Sequence, residues 1–271
     1  MRNVLLLDNG SSRAESTLSL RRLAAALGER IGVEVCPVSL LHANRVPADA
    51  LGGRAADTFV PFLRRQVQAG VDRFLVLPLF FGRSGALTGF IPETVETLQA
   101  ALRPFELEVA DVLCPLPQGE PRLTRILCDN LAQAAAELAV EPRLILVDHG
   151  SPLPTVTEVR RRLAAEMRGL LGVTVEEAVM ERRSGPEYDF NGPLLETLLR
   201  RLAEDDPSRP VALAMLFLSA GRHAGAGGDV EQICRRAQAE HPRLRVAISP
   251  LVASHPAILD ILEDRYRARC G

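Results

Sequence analysis

A chain of 271 residues with a net charge of −2 lacks the basic excess that a large nucleic-acid face requires. Apolar residues make up 47% and charged residues 24%, enough for packed cores, and no apolar run has the length of a membrane span. The five cysteines are odd in number and form no CxxC, which argues against a disulfide framework or a thiolate zinc knuckle and points to a reducing, cytoplasmic setting; Met1-Arg2-Asn3 with the brief apolar run behind it is too short for a signal peptide.

In chain order, residues 4–7, 33–38, 74–81 and 107–113 are short, near-continuous apolar runs, the pattern of strands buried on both faces of a parallel sheet. Amphipathic stretches at 18–30, 54–68 and 92–102 fall between them, and one at 123–138 follows. The order then restarts, with strands at 144–147, 173–179, 211–218 and 245–248 and helices at 155–170, 194–203, 230–240 and 257–267. Asp229 and Gln232 read as an N-cap and its reciprocal partner. Alternating strands and helices predict an α/β fold, each sheet parallel and flanked by helices. Glu141-Pro142 breaks the chain between the two series.

The second series repeats the first. Residues 4–35 and 144–175 align without a gap at an offset of 140, with identities at Leu6/Leu146, Asp8/Asp148, Gly10/Gly150, Ser11/Ser151 and from Arg21–Ala25 to Arg161–Ala165. A repeat of this length means two similar domains, 1–140 and 141–271, rather than a solenoid of ~20–50-residue units. Only the second copy carries histidine at three matched places. His149 stands where the first copy has Asn9, His223 where it has Ser84, and His255 opposite Glu120. One armed half predicts one site, in a cleft between the domains.

Ligands of parallel α/β sheets bind beyond the carboxyl ends of the strands. His149, Glu181 and His223 all follow predicted strands of the second half, so the fold can bring them to one edge although 74 positions separate the two histidines. His149 reads either as a metal- or proton-binding imidazole or as a turn residue, and its exchange for Asn9 favours the former. His223 lies among Gly221, Gly225, Gly227 and Gly228, in a loop where a histidine is no core filler; the missing Lys-Ser/Thr excludes a P-loop. Glu181, matched by Leu41, reads as an auxiliary ligand or a solvated charge. Ser151, which has the counterpart Ser11, reads as a helix cap or a ligand contact, and so does His255 before Pro256. His42 and His241 read as surface positions. Arg182, Arg183 and Arg222 are solvated charges one by one, but as a group they suit a ligand rich in carboxylates.

Asp148-His149-Gly150-Ser151, Phe217-Leu218-Ser219-Ala220-Gly221-Arg222-His223 and Ser254-His255-Pro256 together resemble the sirohydrochlorin chelatase family, the class II cobalt and iron chelatases. The resemblance covers the whole chain as two modules, more strongly in the second. It implies a lyase that inserts Co²⁺ or Fe²⁺ into sirohydrochlorin on the route to cobalamin or siroheme. The metal is then a substrate, with no prosthetic group, and no nucleic acid or membrane partner. It also implies His149 and His223, with Glu181, as metal-binding and catalytic residues. Arg222 and Arg182, which suit the carboxylates of such a substrate, and Ser151 and His255 are the expected contacts to the tetrapyrrole. The chain departs from the family pattern in a longer loop between His223 and Asp229 and in the bare first half. The alternative is a non-catalytic carrier of tetrapyrrole or metal. A histidine phosphotransferase is disfavoured, because Asp148 stands where an arginine commonly precedes such a histidine.

Overall fold

In the computed structural model, which describes residues 2–270, eight strands and eight helices alternate. The first series is β1 (Arg2–Asp8), α1 (Ala14–Ile31), β2 (Val35–Ser39), α2 (Phe59–Gln68), β3 (Arg73–Pro78), α3 (Ile91–Ala101), β4 (Glu106–Val109) and α4 (Pro121–Ala135). The second is β5 (Arg143–Asp148), α5 (Pro154–Leu171), β6 (Val175–Val179), α6 (Leu195–Asp205), β7 (Val211–Met215), α7 (Asp229–Glu240), β8 (Val246–Ile248) and α8 (Ile258–Arg267). Every expected element is present. Among the described residues no helix is long and apolar enough to cross a membrane.

The strands form two four-stranded parallel sheets, ordered β2-β1-β3-β4 and β6-β5-β7-β8. Consecutive apolar residues of the central strands, such as Leu5, Leu6 and Leu7 in β1 and Ile145, Leu146 and Val147 in β5, are all fully buried. Helices therefore cover both faces, which explains why these runs do not alternate with polar residues.

The elements depart from expectation at their ends. The apolar runs through 81 and 218 leave the ladder at Pro78 and Met215. Leu79 and Leu216 beyond those points are still buried, so their apolar character records core packing rather than strand. Helix α2 begins at Phe59 and not at residue 54, because residues 54–57 are irregular and lead into Thr58, which bridges Ser39, while the Arg21 guanidinium donates to the Arg54 and Ala55 carbonyls. Asp229 opens α7 but is not its N-cap; Gly228 holds that position, and the Asp229 carboxylate is used elsewhere.

The compact units do not follow the repeat boundary at residue 140. One comprises Met1–Pro115 with Leu259–Gly271, the other Leu116–Ile258. In the second unit α4 packs on α5, β7 and β8, and Asn130 donates to the Pro250 carbonyl at 3.3 Å. In the first, Arg265 of α8 donates to the carbonyls of Val112 and Leu113 at 3.0 and 3.3 Å, while Arg30 pairs with Glu263. Each repeat thus gives its last helix to the unit whose sheet comes from the other repeat. The periodicity of 123–138 marks an apolar face without saying which sheet covers it.

Candidate functional site

The site follows from strand order. In β6-β5-β7-β8 the chain runs outward from β5 to β6, then crosses back to β7 on the other side of β5. The loops after β5 and β7 therefore part in opposite directions and leave a crevice at the carboxyl edge of the sheet. His149 follows β5 directly, and His223 lies in the loop after β7. Their rings meet edge-to-face, 75° apart in plane, with centroids 4.7 Å apart.

The turn carrying His149 lies against the end of β6. The Met180 amide donates to the Asp148 carbonyl at 2.8 Å, and the Glu181 amide to the His149 carbonyl at 3.1 Å. Gly150 has φ +91°, and a Cβ there would collide with the Glu181 carbonyl oxygen, so only glycine lets the two segments come so close. As a result Glu181 Oε1 stands 3.2 Å from His149 Nε2.

Both ring nitrogens of His149 face acceptors, Nδ1 the Gly150 carbonyl oxygen at 3.0 Å and Nε2 the Glu181 Oε1 carboxylate oxygen at 3.2 Å. His223 Nδ1 is 2.7 Å from the Asp229 Oδ2 carboxylate, which leaves its Nε2 as the atom available to a ligand. An imidazole and a carboxylate at this distance can share a proton, or a cation in its place. All these groups are reachable from solvent; the side chains of His149, Glu181 and His223 are 46%, 61% and 31% exposed. Among the described residues no three histidine, cysteine or acidic side chains are gathered as a ready-made metal cage, so the arrangement is open.

The remaining candidates divide. Arg222 is well exposed beside the site, its Nε 3.8 Å from Asp229 Oδ2. Arg182 is tied into its own loop through Asp189 Oδ1 at 3.0 Å and the Gly192 carbonyl at 3.2 Å. Arg183 lies over the Tyr188 ring at 5.8 Å. The Ser151 hydroxyl accepts the Leu153 amide at 3.0 Å, and Ser11 makes the same turn with Arg13 at 3.2 Å, so this contact is structural in both halves. His255 accepts the Ala257 amide on Nδ1 at 3.2 Å and has Nε2 3.5 Å from Asp129. It closes the turn before α8 and has no contact with the His149–His223 pair among its hydrogen bonds and ion pairs. Asp229 was missed from sequence as a site residue; six positions after His223 at a helix start, its short polar side chain also fits a cap.

The corresponding edge of the first sheet keeps the backbone and loses the donors. The Leu41 amide donates to the Asn9 carbonyl at 3.3 Å, as Glu181 does to His149. The side chains are Asn9 and a half-exposed Leu41, and a π-helical turn at Ala86–Phe90 takes the place of the glycine loop. A cavity of about 770 Å³ in the second unit lies at the opposite end of the strands, among Arg143, Glu176, Arg201 and Asp205. Four of its charges are already paired, Arg143 with Asp205 at 2.6 Å and Arg201 with Glu176, and no described residue lining it is a histidine, so the histidine edge is the stronger candidate.

A family model described as CbiX matches residues 3–134 and again residues 143–269. Among solved structures, SirB from Bacillus subtilis with Fe³⁺ is similar with a TM-score of 0.67 at 15% identity, over 98% of this chain and 94% of that one. A structure titled CbiX, the terminal enzyme for biosynthesis of siroheme in denitrifying bacteria, is similar with a TM-score of 0.61 at 19% identity, over 98% and 99% of the two chains. At these identities the likeness is one of fold. No curated protein sequence matches.

Proposed function

This chain belongs to the CbiX family, as two modules in tandem, and we propose that it is a chelatase that inserts Co²⁺ or Fe²⁺ into sirohydrochlorin. The observation that carries the proposal is the meeting of His149 and His223, with Glu181 alongside, in the one module that has histidines at these matched positions. SirB from Bacillus subtilis has been solved with Fe³⁺ and in complex with cobalt, which agrees with a first-row ion.

The chemistry suits these residues. Insertion exchanges one divalent cation for two pyrrolic protons. The protein must hold the ion loosely enough to give it up to four nitrogens, and must accept protons. Imidazole and carboxylate donors bind Co²⁺ and Fe²⁺ without the grip of thiolates, and the five cysteines form no disulfide and lie scattered outside this edge. With both Nδ1 atoms engaged, the two Nε2 atoms and Glu181 Oε1 are the donors offered to the metal and to the leaving protons. Arg222, exposed and in a long 3.8 Å ion pair with Asp229, is the arginine best placed to meet the carboxylates of the macrocycle, whereas Arg182 must first leave Asp189.

The test is purified protein with sirohydrochlorin and Co²⁺ or Fe²⁺, followed by absorbance. Many turnovers per protein are expected, with His149→Ala and His223→Ala each slower by at least ~100-fold and still folded by circular dichroism. A one-to-one complex without turnover identifies a carrier instead. Full activity in both variants removes the assignment of these residues.

A further inference from the structure

Beneath the armed edge runs a buried polar strap that the other module lacks. Arg160 of α5 is 1% exposed and Asn191 is fully buried. Arg160 donates from Nη1 to Asp148 Oδ1 at 2.7 Å and from Nη2 to the Asn191 carbonyl at 2.6 Å. Asn191 grips Ser151 at two points, accepting its amide on Oδ1 at 3.0 Å and donating from Nδ2 to its carbonyl at 2.9 Å. It also accepts the Thr157 hydroxyl at 3.3 Å. Asp148 Oδ1 accepts the Gly150 amide at 3.1 Å. His149 is therefore flanked on both sides by residues fixed to one network, and Asn191 belongs to the loop that begins at Glu181.

The first module supplies an internal control. Leu20 takes the place of Arg160 at the offset of 140. The bridges Ser39↔Thr58 and Val179↔Leu194 set the loops in register, so Ala55 takes the place of Asn191. Arg21 and Arg161 confirm that match, one donating to the Arg54 and Ala55 carbonyls, the other to the Phe190 carbonyl at 2.9 Å. Asp8 and Thr17 persist without the strap, and Asp8 Oδ1 and Thr17 Oγ1 have no hydrogen-bond partner. The module nevertheless forms the same sheet with the same backbone turn. The strap is thus dispensable for the fold, and burying a guanidinium is costly compared with an apolar side chain of similar size. It occurs only where a histidine has to be aimed.

We infer that Arg160 and Asn191 are positioning residues that hold the His149 ring with Nδ1 on the Gly150 carbonyl and Nε2 directed at Glu181. The inference rests on the chelatase reading for its purpose but not for its geometry. The test transplants the first module's residues as Asn191→Ala and Arg160→Leu into the full chain. Imidazole ¹⁵N spectra, recorded without metal, report the hydrogen bonding of the two His149 nitrogens, and Co²⁺ titration reports affinity. Expected are folded variants in which the His149 signals shift from their wild-type positions, those of His223 hold, and Co²⁺ affinity falls about 10–100-fold. Wild-type His149 signals in folded variants overturn the inference. Should Arg160→Leu not fold, Asn191→Ala decides alone, because it leaves the Asp148–Arg160 pair in place. A wild-type protein that inserts no metal would refute the chelatase reading and leave the spectral test of the strap standing.

Discussion

Asp8 and Asp148 hold the same place in the two repeats and differ in what surrounds them. Both are buried at the end of a central strand. Burial raises each carboxyl above the ordinary carboxylate range, but at Asp148 the Arg160 guanidinium pulls it back. At Asp8 only Ser39 and backbone amides oppose burial, and the carboxyl is pushed up to about 6. Between the ordinary carboxyl value of 3.8 and about 6, the folded chain therefore keeps a proton that the unfolded chain has released. Stability associated with Asp8 is present at low pH and lost as pH rises through that window, by at most about 3 kcal/mol. Asp8→Asn should flatten this slope and make the protein more stable than wild type at pH 8, with little difference at pH 4. Urea unfolding at both values measures it, and equal slopes would contradict it. At this scale the sequence was most informative about difference. The exchanges of His149 for Asn9 and Glu181 for Leu41 singled out the candidate edge, because each sets a metal-binding side chain against one that cannot bind metal at a matched strand end. It was silent on Arg160, because an arginine in a helix gives no sign in sequence of being buried.

At the level of elements, the turn after the first strand of each module decides how close two segments can approach. Gly10 and Gly150 both adopt positive φ, and a side chain at either would strike a carbonyl oxygen, of Leu41 or of Glu181. Alanine at either position should cost at least ~2 kcal/mol of stability, from backbone strain and displacement of the strand end. Only Gly150→Ala should also slow metal insertion, since it moves His149 from Glu181, and denaturation with initial rates on both variants separates the effects. Strands and helices were legible throughout because burial on two faces and on one face leave different periods. Their ends were not. Leu216–Leu218 continue the apolar run of β7 past its last ladder position, and the loop that follows has no period at all. The match of Gly221-Arg222-His223 to Gly82-Arg83-Ser84 hides a length change. The strands place Met215 opposite Val147 and Pro78 opposite Leu7, so the second loop is two residues longer before the histidine.

For the whole molecule, the repeat was legible and its packing was not. Residues 1–140 and 141–271 each spell a full set of four strands and four helices, yet α4 belongs with the second sheet and α8 with the first. Hydrophobic patterning gives a helix an apolar face and no address. The chain crosses between units both before α4 and at the start of α8. Expressed singly, fragments 1–140 and 141–271 should each leave one side of a sheet bare and be aggregation-prone, and when produced together they should copurify as a folded pair, as gel filtration and circular dichroism would reveal. Two stable, independent fragments would contradict this. A half-length protein built on the same plan is whole only when a twin lends it a tail, and joining the halves end to end turns that loan between molecules into an arrangement within one.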